Sequence, residues 1–449
     1  MKQQNLEIQL GELDYDKQND SNIENGIASM RTQEFSHDTT KEQQGQKKKK
    51  YSSKKDATIN LFKGYIGSGI LALPFAFDQV GYVLGTICFI LVAIAIYYTM
   101  TLIFQVADKN TKKGMGYPEL AEQLLGAKGV LTVKVMLCLF QIGCCVSYVI
   151  FFLKFFEYAF QTAGNKMDDL IYLFIALCII LPLSLINDVS FFKRTSIIGN
   201  AFVIGTLILI YVHNLNEIFN GGDQIDENSQ DLFSFLQIPM IIGTSIYSFE
   251  AIGLVFSIRN SLRDPTEFKS IFRNVNIFVC VLYISFAICG VVALGNQMEE
   301  IILFSMPRRF YVQMFQILYA IALILSYPLQ LLPSYQIMEA SSSIKNYIKR
   351  DTQNWKLRRF FFRCLITVFI CISAFVIPRF AVFLNLIGSI AGTCLQFIFP
   401  ILMYNRVYEH EMTKQTRFIN KFVLIFGSFG GFCGFAYSVY ELVNPAGED

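Results

Sequence analysis

Charge is what this sequence has least of. Asp, Glu, Lys and Arg make up 16% of its 449 residues, against roughly 25% in ordinary soluble domains. A soluble chain of this length could not keep its surface wet with so few charges. His occurs 3 times and Trp once, so the sequence offers little for histidine chemistry. No two Cys have CxxC or zinc spacing, and there is no catalytic triad. Gly427, Ser428, Phe429, Gly430 and Gly431 resemble a phosphate loop only in glycine content, because the Lys is missing. These absences argue against an ordinary soluble enzyme, a secreted disulfide scaffold, a disordered chain and a nucleic-acid binder. No cofactor and no bound metal are expected, and the protein is not expected to be an enzyme.

Apolar residues are abundant. They form 53% of the chain, and Phe alone occurs 43 times. They lie in long runs separated by short charged loops. Runs of about 20 apolar residues can cross a bilayer. The 11 Cys fall inside such runs, Cys144, Cys145, Cys289 and Cys371 among them, and are expected to act as small hydrophobes.

Residues 1–56 differ. They are rich in Gln, Asn, Asp, Ser and Lys, lack an apolar signal-peptide core, and end in Lys47, Lys48, Lys49, Lys50, Lys54 and Lys55. Such a segment cannot bury enough apolar surface to fold, so a disordered tail is expected. Its lysines serve as a positive-inside anchor, or as a patch touching anionic lipid.

The fold class expected is an all-α polytopic membrane protein. A transmembrane domain over 57–441 holds about eleven helices, and 442–449 forms a short tail. The spans read as 57–80, 82–107, 130–161, 169–187, 194–214, 234–258, 272–295, 309–341, 359–377, 380–404 and 417–441. Residues 117–126 read as a short amphipathic surface helix. With the N-terminus in the cytosol, loops on that side hold about 21 Lys and Arg and the opposite loops about 4, which satisfies the positive-inside rule. An odd number of spans places the C-terminal tail on the non-cytosolic side.

Two spans are poor helices in corresponding places. The first contains Gly64, Gly67, Ser68 and Gly69, then Pro74. Interior Gly costs roughly 1 kcal/mol relative to Ala, and Pro removes a donor. The sixth contains Gly243, Thr244, Ser245, Ser248, Glu250 and Gly253. A carboxylate at that depth is costly and marks function. Span one opens the first five helices and span six the next five. Paired interruptions of this kind point to the binding site of a secondary transporter. Small residues for close helix packing are the plainer alternative.

The chemistry follows from the breaks. Freed N–H groups at a half-helix N-terminus attract an anion, and freed carbonyls attract a cation. Together they suit a zwitterion such as an amino acid. Backbone N–H groups of Gly67, Ser68, Gly69 and Ile70 are the candidate carboxylate site. Carbonyls near Tyr247, Ser248 and Phe249 are the candidate ammonium site, and Tyr148 could add a hydroxyl. Glu250 is the candidate coupling residue, with a brace for the unwound backbone as its alternative role. Lys154 and Glu157 can pair on one helix face. His213 reads as a solvated helix end or a pH-sensing group.

Several motifs resemble the amino acid/auxin permease family, in its proton-coupled and vacuolar amino acid transporter branches. They are NLFKGYIGSGILALP at 60–74, GCCVSY at 143–148, FEAIG at 249–253, YPLQLLP at 327–333 and LIGS at 386–389. The resemblance covers about 57–441 and omits the tail. It implies eleven helices in a five-plus-five inverted repeat with helices 1 and 6 broken. It also implies secondary active, proton-coupled transport of small neutral amino acids by alternating access, in a vacuolar, lysosomal or plasma membrane. Amino acids, protons and membrane lipids are then the partners. A sensor on the same fold, signalling without flux, is the alternative. One departure stands out: proton-coupled members carry a His where this chain has Asn60.

Overall fold

A computed structural model describes residues 51–110, 114–162, 167–185, 189–220, 234–348, 354–377 and 379–444. Residues 1–50 and 445–449, where most of the two expected tails fall, lie outside the described residues. Among the described residues the chain is helical. Its only extended pairing is an isolated bridge between Ser52 and Leu262.

The first span starts at Lys54, three residues before the expected start. The reason is a capping box: the Ser53 Oγ accepts from the Asp56 N–H at 3.1 Å, and the Asp56 carboxylate accepts from the Ser53 N–H at 3.3 Å. Helix α1 (Lys54–Tyr65) gives way at Ile66 and Gly67 to a 3-10 turn, Ser68–Ala72, and then to α2 (Leu73–Val80). The two parts meet at a bend of 45°. Helices α3 (Tyr82–Lys109), α4 (Tyr117–Thr162), α5 (Asp169–Leu185) and α6 (Val189–Phe219) follow. Helix α4 is two helices joined at Gly126, whose φ of 68° suits a residue without a Cβ. The segment before that kink is the short surface helix expected at 117–126.

The sixth span is α7 (Ile238–Ser248) and α8 (Ile252–Ser261), interrupted at Phe249, Glu250 and Ala251. Then come α9 (Phe268–Leu294), α10 (Phe310–Glu339), the short α11 (Ser342–Tyr347) and α12 (Trp355–Val376). Helix ten is composite: α13 (Phe380–Ile387), π-helical turns at Gly388–Gly392 and Cys394–Ile398, and α14 (Phe399–Val407). Helix α15 (Lys414–Val443) ends the fold.

Among the described residues, 9 helices are long and apolar enough to cross a membrane, and the bent first span makes 10. Helix α5 is equally apolar but shorter, at 17 residues with Pro182 inside it. Most helices run a few residues beyond the expected bounds, because their polar ends extend past the apolar core. The outer faces expose large apolar side chains such as Phe369, Phe422, Phe429 and Phe432, as lipid contact requires. The interior packs aromatic rings around the two breaks.

Candidate functional site

The first break leaves backbone donors idle. The last regular bond of α1 runs from the Ile66 N–H to the Phe62 carbonyl at 3.3 Å. Gly67 is then extended, with φ −136° and ψ −161°. The N–H groups of Gly67, Ser68 and Gly69 find no acceptor among the described residues. They open the Ser68–Ala72 turn that leads into α2, where the helix dipole favours negative charge. Two carbonyls at the break have hydroxyl donors. The Tyr283 hydroxyl donates to the Tyr65 carbonyl at 2.6 Å, and the Tyr319 hydroxyl to the Gly67 carbonyl at 3.5 Å.

The second break leaves carbonyls idle. The Phe249 N–H reaches the Ser245 carbonyl at 3.0 Å and the Glu250 N–H reaches the Tyr247 carbonyl at 3.2 Å. The carbonyls of Ser248 and Phe249 accept no backbone N–H among the described residues. The Glu250 carboxylate turns forward and accepts from the Ile252 N–H at 2.9 Å, capping α8. The Phe249 ring is buried against Phe89 at 5.0 Å, Tyr283 at 5.9 Å and Tyr65 at 6.1 Å.

The two breaks touch. A Cβ on Gly69 would lie 2.8 Å from the Ser248 Oγ and 3.1 Å from the Tyr247 ring, so only Gly allows this approach. Nothing lies within 4 Å of a Cβ built on Gly67, so open space adjoins the idle donors. The hydroxyls of Ser68, Ser147 and Tyr247 form a triangle with sides of 3.1, 3.2 and 3.2 Å. Ser147 also donates to the Cys144 carbonyl at 2.8 Å, and Phe140 stacks on the Tyr247 ring at 5.3 Å.

The structure thus brings Gly67, Ser68, Gly69 and Ile70 beside Tyr247, Ser248 and Phe249. Tyr148 is buried in the same span as Ser147, and its hydroxyl bonds to neither break among the described residues. Ser147, Phe140, Tyr283 and Tyr319 were not expected at the site from the sequence. The GCCVSY motif was the available signal for Ser147. Lys154 and Glu157 do pair, at 3.4 Å. His213 is not a solvated helix end: it is 7% exposed, because α6 packs along α9 and α10. Among the described residues no group of three His, Cys, Asp or Glu side chains could hold a metal ion.

Polar contacts tie the helix ends together. At one end the Ser52 N–H donates to the Ser261 carbonyl at 2.9 Å, Lys54 pairs with Glu267 at 2.8 Å, and Arg259 pairs with Asp108. At the other, the buried turn Ile302–Phe304 sets Phe304 against Phe151 at 5.3 Å. There Arg379 binds Glu300 at 3.0 Å and Glu441 at 2.6 Å. Burial works against the charge on Arg379. Its hydrogen bonds and attraction to Glu300 and Glu441 outweigh that, raising its pKa.

A model of the family described as "Transmembrane amino acid transporter protein" matches residues 50–444. The chain is 28% identical over 383 residues to vacuolar amino acid transporter 3 of Saccharomyces cerevisiae. That match covers 84% of this chain and 55% of the yeast protein; the chain thus spans about half of that relative. It is 23% identical over 398 residues to amino acid transporter ANT1 of Arabidopsis thaliana, covering 86% of this chain and 90% of that one. Among solved structures, a Na+-coupled sialic acid symporter matches with a TM-score of 0.50 at 12% identity, covering 87% of this chain and 91% of its own. Mhp1, a nucleobase-cation-symport-1 family transporter, matches with a TM-score of 0.52 at 11% identity, covering 88% and 93%. At such identities the likeness concerns the fold.

Proposed function

The chain belongs to the amino acid/auxin permease family of transmembrane amino acid transporter proteins, and on that premise we propose that it is a secondary active transporter of small neutral amino acids. The observation that carries this reading is the meeting of idle N–H groups at one break with idle carbonyls at the other. Idle N–H groups at Gly67, Ser68 and Gly69, with Ile70 next in line, suit a carboxylate. Unpaired carbonyls at Ser248 and Phe249 suit an ammonium. No charged side chain other than Glu250 belongs to this set, which favours substrates with uncharged side chains.

Counting the bent first span and α5 gives eleven spans, and breaks in spans one and six accord with a five-plus-five inverted repeat. Proton coupling is assigned to Glu250, since Asn60 cannot titrate. The vacuolar name of the yeast relative favours a vacuolar membrane, with the N-terminus cytosolic by the charge of its loops.

The test is uptake by purified protein in proteoliposomes, across a panel of labelled amino acids, with and without a pH gradient. Saturable uptake of small neutral amino acids that a pH gradient drives uphill is expected. Binding without flux would replace transport by sensing.

A further inference from the structure

Helix ten leaves α geometry where it lies against α7, over Gly388–Gly392 and Cys394–Ile398. Such π turns concentrate at functional positions and leave backbone carbonyls without their usual donors. Side chains supply replacements. The Thr393 hydroxyl donates to the Gly388 carbonyl at 3.4 Å, and the Tyr117 hydroxyl to the Leu395 carbonyl at 2.9 Å.

Gln396 does something different. Its Nε2 donates to the Ile246 carbonyl, in the last turn of α7, at 2.7 Å. In an unbroken helix that carbonyl would accept the Glu250 N–H, which instead goes to Tyr247. The carbonyl that the break orphans is therefore satisfied from helix ten. The contact is backed on both sides. A Cβ on Gly388 would lie 2.0 Å from the Gly243 carbonyl oxygen and 2.9 Å from the Tyr247 nitrogen. One on Gly392 would lie 2.7 Å from the Ile246 side chain. Gln396 is fully buried, and its Oε1 has no partner among the described residues. An apolar side chain of similar size would avoid leaving that acceptor unpaired. Packing therefore does not account for the carboxamide, whereas donation to Ile246 does.

We infer that Gln396 is a positioning residue for the substrate's ammonium group. By holding the Ile246 carbonyl it sets the direction in which Tyr247, Ser248 and Phe249 leave α7, and so aims the carbonyls of Ser248 and Phe249. This rests on the proposed transport of amino acids. Tyr117 steadies the neighbouring residue Leu395, and its ring meets Phe256 of α8 at 5.8 Å. The support thus reaches both halves of the broken span.

The test uses the full chain in proteoliposomes and two labelled probes, L-alanine and N-methyl-L-alanine. They share a carboxylate and a side chain, but the second has one ammonium N–H replaced by a methyl group. Gln396→Met keeps the volume and removes the donor. The expected result is a KM for L-alanine raised about tenfold, the size of losing aim on a charged hydrogen bond, with the KM for N-methyl-L-alanine raised by less, because it has one N–H fewer to aim. The preference between the probes then narrows. An unchanged preference, or equal loss for both probes, overturns the inference. If Gln396→Met does not fold, Tyr117→Phe decides, since it removes only the hydroxyl on Leu395. A smaller shift of the same preference is expected, and none overturns the inference. A wild-type protein that transports neither probe overturns the transport reading itself, a failure visible before any variant is made.

Discussion

The hydroxyls of Ser147 and Tyr247 stand 3.2 Å apart although 100 residues separate them in the chain. Each also reaches Ser68, so one residue from each of spans one, three and six shares a single cluster. Ser147 spends its proton on the Cys144 carbonyl. The protons of Ser68 and Tyr247 can then fill only two of the three sides, and Ser147 acts there as an acceptor. Ser147→Ala removes that acceptor. A loss of about 1 kcal/mol in stability is expected, together with a raised KM because Ser68 is no longer held beside the idle N–H groups. Thermal unfolding and uptake kinetics of the purified variant check both. An unchanged KM would separate the triangle from the binding site.

The two glycines of the first break should respond differently. A Cβ on Gly67 meets no protein atom within 4 Å, so for Gly67→Val insertion and folding should be preserved while the side chain fills the open space and uptake is lost. Gly69→Ala drives a methyl group into Ser248, at an overpacking cost of about 1–3 kcal/mol. That variant should lose folded yield as well as uptake. Size-exclusion profiles alongside uptake separate the cases. Full uptake by well-folded Gly67→Val would remove Gly67 from the site.

Glu250→Gln keeps the shape and the acceptor facing the Ile252 N–H but cannot exchange a proton. If Glu250 couples transport to protons, the variant should exchange substrate across vesicles yet fail to accumulate it when a pH gradient is imposed. Accumulation equal to wild type would leave Glu250 as a cap for α8 and nothing more.

Orientation follows from the loop charges. A tag before Lys54 should be reached by protease from the cytosolic face of sealed vesicles, and a tag after Val443 only once they are opened. Access to both from one face would mean that the count of spans is even.

The two breaks were legible because they are written in local chemistry. Gly67, Ser68, Gly69 and Pro74 resist a helix wherever they are placed, and Glu250 is conspicuous in an apolar run. The kink at Gly126 was legible as the end of an amphipathic stretch. What escaped were the partners. Tyr283 reaches Tyr65 across 218 residues, and Gln396 reaches Ile246 across 150. An isolated Tyr or Gln in an apolar run carries no mark of what it will bond. The burial of His213 was hidden for the same reason, since it depends on the neighbours of α6 rather than on the polarity of its end. The π turns were invisible because nothing in Gly388, Ser389 and Gly392 separates a π turn from the small residues of an ordinary helix.

Those π turns also say something about the tolerance of helix ten to changes in length. Each is a place where the helix accommodates a surplus residue per turn. Deleting one residue between Cys394 and Ile398 would let α geometry close over the second of them. Beyond the repair Phe399–Val407 would keep its register, as a rope keeps its lay when a loop of slack is drawn in. The side chains within the repaired turn would instead swing by about 100°. Gln396 would leave Ile246, and the arrangement that joins helix ten to the second break would be lost without a single contact residue being replaced.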